Sequence, residues 1–93
     1  MVELTLNDRV AIPDGVIARE VDGETVLLNL DTGVYFGLDA VGTAIWRAIR
    51  DDGRLLHAAE AVERDYDVEP AVAREDLLRL IGEMIAKGLL QNA

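Results

Sequence analysis

The chain contains no cysteine and no serine, one histidine (His57), one lysine (Lys87), one tryptophan, one phenylalanine and two tyrosines. Without cysteine there are no disulfides, no thiolate metal ligands and no cysteine catalysis. Without serine the other common nucleophile is gone, leaving only threonines, Lys87 and carboxylates, and no base is placed to activate any of them. No cofactor and no catalytic residue is expected. Nowhere do 18 apolar residues follow one another, which excludes a transmembrane helix, and the start Met1-Val2-Glu3-Leu4 lacks the basic opening of a signal peptide. A cytoplasmic location is therefore expected. Positive charge is also scarce. Eighteen acidic residues against nine basic ones give a net charge of −9, which opposes approach to nucleic acid or to an anionic membrane, since both need their phosphates neutralised. Such a surface either keeps a small protein soluble or steers a partner whose contact residues are basic or neutral.

What is present is a chain of 93 residues, 51% apolar, enough for one domain spanning 1–93 that buries about 60–65% of the surface its unfolded form exposes. Strand patterns come first. Residues 16–21, Val-Ile-Ala-Arg-Glu-Val, run into Asp22-Gly23, and residues 25–30, Thr-Val-Leu-Leu-Asn-Leu, follow. Asp-Gly between apolar runs is a hairpin signal, so the first two strands are antiparallel neighbours. A second turn, Asp31-Thr32-Gly33, leads to a short third strand, Val34–Gly37, completing a meander over 16–38. The lead-in, residues 1–15, is ambiguous: Leu4 and Leu6 alternate, Asn7-Asp8 breaks them and Pro13 removes a donor. It is expected to cover the outer edge of the first strand.

After Leu38 the apolar period lengthens to that of a helix. Asp39 caps a first helix over 39–50, striped by Val41, Ile45, Ala48 and Ile49 with Trp46 beside them, and ended by Asp51-Asp52-Gly53. A second helix over 54–66 carries Leu55, Ala59, Val62 and Tyr66 on one face. The third spans 70–87, with Pro70 at its first position, Lys87 at its end and Gly88 after it. Its apolar residues, Val72, Leu77, Leu78, Leu80, Ile81, Met84 and Ile85, fill more than one stripe. Either sheet and neighbouring helices bury it on several sides, or part of it meets something besides its own core.

The predicted fold is α+β, a three-stranded antiparallel sheet followed by three helices in a winged helix-turn-helix-like order. Three local motifs invite chemical readings. Asp31-Thr32-Gly33 matches the triplet of aspartic proteases, but those enzymes need two carboxylates sharing a proton in an almost all-β fold, and Asp-Thr-Gly is a good turn anyway. His57 with Glu60, Glu63 and Asp65 offers potential ligands, but zinc wants three or four strong donors converging; no metal is expected. The winged order raises DNA binding. A reading helix carries Arg, Lys, Asn or Gln at its N-terminal end, whereas residues 70–87 set Arg74, Arg79 and Lys87 against Glu75, Asp76 and Glu83. That helix is neutral on an acidic protein.

One run of residues resembles a known family. Gly23-Glu24-Thr25-Val26-Leu27-Leu28-Asn29-Leu30-Asp31-Thr32-Gly33-Val34-Tyr35-Phe36-Gly37-Leu38-Asp39-Ala40-Val41-Gly42, then Ile45-Trp46, Tyr66-Asp67-Val68, Asp76-Leu77-Leu78 and Lys87-Gly88-Leu89-Leu90 together resemble the PqqD-like family. These are recognition elements for ribosomally made, post-translationally modified peptides. The resemblance runs from about Val16 to Leu90, and the Thr-Gly-x-Tyr-Phe-x-Leu and Ile-Trp pattern on an acidic free-standing chain resembles the small binding protein of lasso-peptide pathways. Asp39 stands where the family commonly has asparagine; both cap helices.

The resemblance implies a non-catalytic protein that binds the leader segment of a precursor peptide as an added strand on the third β-strand, in a cleft shared with the third helix. It also implies partners: the leader peptide, a leader peptidase and an ATP-dependent macrolactam cyclase; the acidic charge adds the expectation of no nucleic acid and no membrane. Leader binding in another peptide-modification or quinone-cofactor pathway is the alternative, and a winged-helix DNA-binding regulator the third. On this chain the peptide-binding residues are expected to be Val34, Tyr35, Phe36 and Gly37 on the strand and Val72, Asp76 and Arg79, spaced three to four apart, on the helix. By alternation Val34, Phe36 and Leu38 share the cleft or core face, Tyr35 takes the other, and Gly37 lets a backbone approach closely.

Overall fold

The computed structural model describes residues 4–93. Along the chain run β1 (Val10–Ala11), β2 (Val16–Val21), β3 (Glu24–Asn29), β4 (Tyr35–Leu38), α1 (Ala40–Asp52), α2 (Leu55–Asp65), α3 (Pro70–Ala86) and β5 (Gln91–Asn92). The fold is α+β: β2, β3 and β4 form an antiparallel meander in that spatial order, and three helices follow.

The two-residue turn between β2 and β3 has both central residues in the left-handed region, Asp22 at φ 53° and Gly23 at φ 82°. This primed geometry matches the twist of the strands it joins and sets the register Val21↔Glu24 through Val16↔Asn29. The register in turn decides the faces. Thr25, Leu27 and Asn29 point inward and are buried, while Val26 is 51% exposed on the other side. Across β4 the pairs Leu27↔Phe36 and Thr25↔Leu38 place Phe36 and Leu38 on the inner face with them.

The helices cover that face. Asp39 accepts a hydrogen bond from the Gly42 amide at 2.9 Å, the capping role its position predicts. α1 runs two residues beyond the Arg50 expected from its stripe, because the chain turns out only at Gly53, φ 76°. Trp46 is core, with Ile45 and Ile49 beside it. On α2, Leu55, Ala58, Ala59 and Val62 are buried. On α3 the buried set is Ala73, Leu77, Ile81 and Met84, one stripe, with Leu78, Leu80 and Ile85 packed part-buried on its flanks. The buried polar pair Thr25 and Thr43 satisfies itself through hydroxyls 2.8 Å apart.

The lead-in departs from expectation; its residues 1–3 lie outside those described. Instead of covering the outer edge of β2, it crosses to the helical side. The Val10 amide donates to the Gly53 carbonyl at 2.9 Å, the Leu55 amide to the Asp8 carbonyl at 3.2 Å, and β1 pairs with β5. Burial explains the choice. Val10 is 2% exposed, so docking on the α1–α2 junction removes an apolar side chain from water.

Candidate functional site

β4 is an edge strand, and its hydrogen-bonding parity follows from one bond. The Asn29 amide donates to the Val34 carbonyl at 2.8 Å, so the Asn29–Val34 pair faces inward. In an antiparallel ladder inward-bonded and outward-facing pairs alternate. With the register Leu28↔Tyr35, Leu27↔Phe36, Val26↔Gly37 and Thr25↔Leu38, Phe36 and Leu38 bond to β3. Tyr35 and Gly37 therefore turn both their backbone N–H and C=O toward the open edge.

Beside that edge lies a trough of about 500 Å³. Phe36 and Leu38 of β4, Val41 and Ile45 of α1, Val62 of α2, Val68 of the α2–α3 connection, and Ala73, Leu77 and Leu80 of α3 line it. The lining is mostly apolar. At the rim Arg79 Nη2 lies 3.0 Å from Asp76 Oδ1, both side chains more than half exposed; such a pair is held weakly and reorients readily.

The seven residues that the sequence singles out divide in this geometry. Phe36, Gly37, Asp76 and Arg79 line the trough. Tyr35 belongs to the edge through its backbone, while its ring stands 75% exposed on the outer face, opposite Phe36, as alternation requires. Val34 ends the turn and precedes β4, which begins one residue later than predicted and includes Leu38. Val72 is 47% exposed and outside the lining, where its neighbour Ala73 takes the place. A side chain built on Gly37 would meet nothing within 4 Å, so the glycine leaves the edge unshielded. Sequence reasoning does not name Val41, Ile45, Val62, Val68, Leu77 or Leu80 as site residues. Periodicity marks several of them as apolar stripe positions, and a stripe residue that lines a trough reads the same as one that fills a core.

The other motifs resolve into local structure. Asp31 sits in the turn before β4, its amide bonded to Asn29 Oδ1 at 2.9 Å, and its carboxylate stands against Gly15. His57 Nδ1 pairs with Asp52 rather than with its helix neighbours, while Glu63 pairs with Arg74 at 3.1 Å and Asp65 with Arg64 at 3.1 Å. The Arg54 amide first, and His57 second, hold the Asp52 carboxyl below its ordinary range.

An open strand edge facing a helix across an apolar trough, on a meander followed by three helices, defines a winged α+β module. The family model described as Coenzyme PQQ synthesis protein D (PqqD) matches residues 24–90; the chain belongs to this family. It is also similar to a solved structure of TbiB1 in complex with the TbiA(beta) leader peptide, at 38% identity over 86% of this chain and 93% of that one, with a TM-score of 0.81. No curated protein matches the chain.

Proposed function

We propose that this protein binds the leader segment of a ribosomally made precursor peptide, as an extended strand added to β4, and presents it to other proteins without doing chemistry itself. One observation carries the reading: Tyr35 and Gly37 offer backbone donors and acceptors at a sheet edge beside an apolar trough. An extended peptide satisfies those groups for affinity and inserts alternate side chains into the trough for specificity. The PqqD membership and the similarity to a protein solved with a leader peptide support it. The site residues are Tyr35, Phe36 and Gly37 on the strand and Asp76 and Arg79 on the helix, with Val34 and Val72 flanking them.

The finer reading is lasso-peptide maturation in the cytoplasm, with a leader peptidase and an ATP-dependent macrolactam cyclase as partners; it rests on the sequence resemblance. Among the described residues no helix is long and apolar enough to cross a membrane. Leader binding in a quinone-cofactor pathway is the second reading, favoured by the family description. DNA reading by α3 is disfavoured, because Arg74, Arg79 and Lys87 are balanced by Glu75, Asp76 and Glu83 on a protein of net charge −9. Calorimetry against the leader peptide encoded beside the gene is expected to give micromolar or tighter binding, about −8 kcal/mol or better. Absence of heat and of competition at protein concentrations well above micromolar would sink the proposal.

A further inference from the structure

The trough has two walls, β4 and α3, which share an apolar core but few hydrogen bonds. Among the described residues, one hydrogen bond links the three-stranded sheet or its turns to α3 and its cap: Asn29 Nδ2 donates to the Gly88 carbonyl at 2.8 Å. The same side chain builds the turn that launches β4. Asn29 Oδ1 accepts from the Asp31 amide at 2.9 Å and the Thr32 amide at 3.1 Å, and the residue's own backbone bonds Val34 and Gly33, each at 2.8 Å. Only one orientation of the amide satisfies a carbonyl and two N–H groups together, so donor and acceptor ends are assigned by the network itself. Asn29 is 7% exposed, and a hydrogen bond at that burial is costly to leave unmade.

On the far side, Gly88 sits at φ 74° and stops α3. The Leu89 amide behind it donates to the Met84 carbonyl at 2.8 Å, and Leu89 and Leu90 are buried. The helix end is thus anchored, and the tie fixes it against the start of β4. The trough-lining part of α3 ends at Leu80, about 12 Å along the helix from the tie. The two walls are therefore hydrogen-bonded at one end and held along the lined stretch by apolar packing alone, Ala73 and Leu77 sharing the core with Leu38 and Ile45, so a change at the tie shifts the spacing along the trough. A strand added to β4 must lie about 4.8 Å from it while its side chains reach α3, which leaves little latitude in that spacing.

We infer that Asn29 is a positioning residue for peptide binding: its amide sets the distance between β4 and α3 and holds the trough at the width an added strand needs. It is not among the residues that line the trough. The inference rests on the leader-binding reading above. Losing the tie lowers the fraction of molecules with a correctly spaced trough, and apparent affinity falls by that fraction.

Asn29→Asp separates the two roles of the side chain, since a carboxylate still accepts from Asp31 and Thr32 but no longer donates to Gly88. Gly88→Ala attacks the same tie from the helix end, because at φ 74° a side chain strains the backbone that presents the Gly88 carbonyl and a Cβ would lie 3.2 Å from Asn29 Nδ2. It leaves the turn intact and decides the question if Asn29→Asp does not fold. Val10→Ala, buried but outside the trough, controls for lost stability. Binding of the leader encoded beside the gene is measured by calorimetry and stopped flow well below every melting temperature, where unfolding removes a negligible share of the protein. Asn29→Asp and Gly88→Ala are expected to weaken binding about tenfold, mainly through faster dissociation, with Val10→Ala binding like the wild type. Wild-type affinity in both tie variants, or equal losses in Val10→Ala at matched melting temperature, overturns the positioning role. A wild-type protein that binds no leader instead overturns the function on which the inference rests.

Discussion

At the scale of single residues, the parity of β4 is the sharpest consequence of the structure. Proline removes one backbone donor, and the effect depends on where that donor points. Phe36 directs its N–H to β3, so Phe36→Pro is expected to break the ladder and lower the melting temperature by several degrees, the shift that about 1 kcal/mol produces in a domain of this size. Tyr35 directs its N–H outward, so Tyr35→Pro should melt within a few degrees of the wild type yet bind leader at least about tenfold more weakly. Alternation alone groups Val34 with Phe36, but the Val34 amide turns to Thr32 Oγ1 at 3.3 Å because the Gly33 amide already occupies the Asn29 carbonyl. Val34→Pro therefore costs no ladder bond. Thermal melts paired with calorimetry on the three variants check this division, and equal behaviour of Tyr35→Pro and Phe36→Pro would refute the parity assignment.

At the scale of elements, two glycines at left-handed positions separate strain from collision. A side chain on Gly23 meets nothing within 4 Å, whereas one on Gly53 would lie 2.2 Å from the Val10 carbonyl oxygen. Gly23→Ala is expected to cost about 1 kcal/mol, the penalty of the conformation alone. Gly53→Ala is expected to cost about 3 kcal/mol or more, since it also pushes β1 off the α1–α2 junction; urea unfolding of both variants measures the difference. The Gly53 contact also marks the limit of what the sequence makes legible. The hairpin, the third strand and all three helices are readable, because each rests on local signals: Asp-Gly between apolar runs, Asp39 as a cap, Pro70 at a helix start. The pairing of β1 with β5 joins Val10 to Asn92 and Ala11 to Gln91, segments of two residues at opposite ends of the chain. Nothing local announces such a pair. Likewise the surplus apolar residues of α3 are visible as surplus, but only the fold assigns Leu80 to the trough and Val72 to solvent.

At the scale of the whole molecule, the protein offers an edge, a trough and an acidic surface of net charge −9, and acts in the proposed function only by holding a peptide for others. It should therefore leave precursor peptide uncut and unmodified alone, and accelerate cleavage when the leader peptidase is added. Mass spectrometry of precursor incubated with this protein, with the peptidase and with both distinguishes the cases. Cleavage by this protein alone that vanished in Asp31→Asn would restore the protease reading that a lone Asp-Thr-Gly turn does not support.

The proposed function depends on the peptide joining β4 as a strand, and amide hydrogen exchange reads that event residue by residue. In the free protein the amides of Phe36 and Leu38 should exchange slowly, bonded to β3, while those of Tyr35 and Gly37 exchange fast. On adding saturating leader peptide, Tyr35 and Gly37 are expected to slow by at least about tenfold, which corresponds to about 1.4 kcal/mol of added protection, with little change at Phe36. Leader binding that leaves the Tyr35 and Gly37 amides exchanging at their free rates would contradict strand addition and place the peptide elsewhere on the molecule.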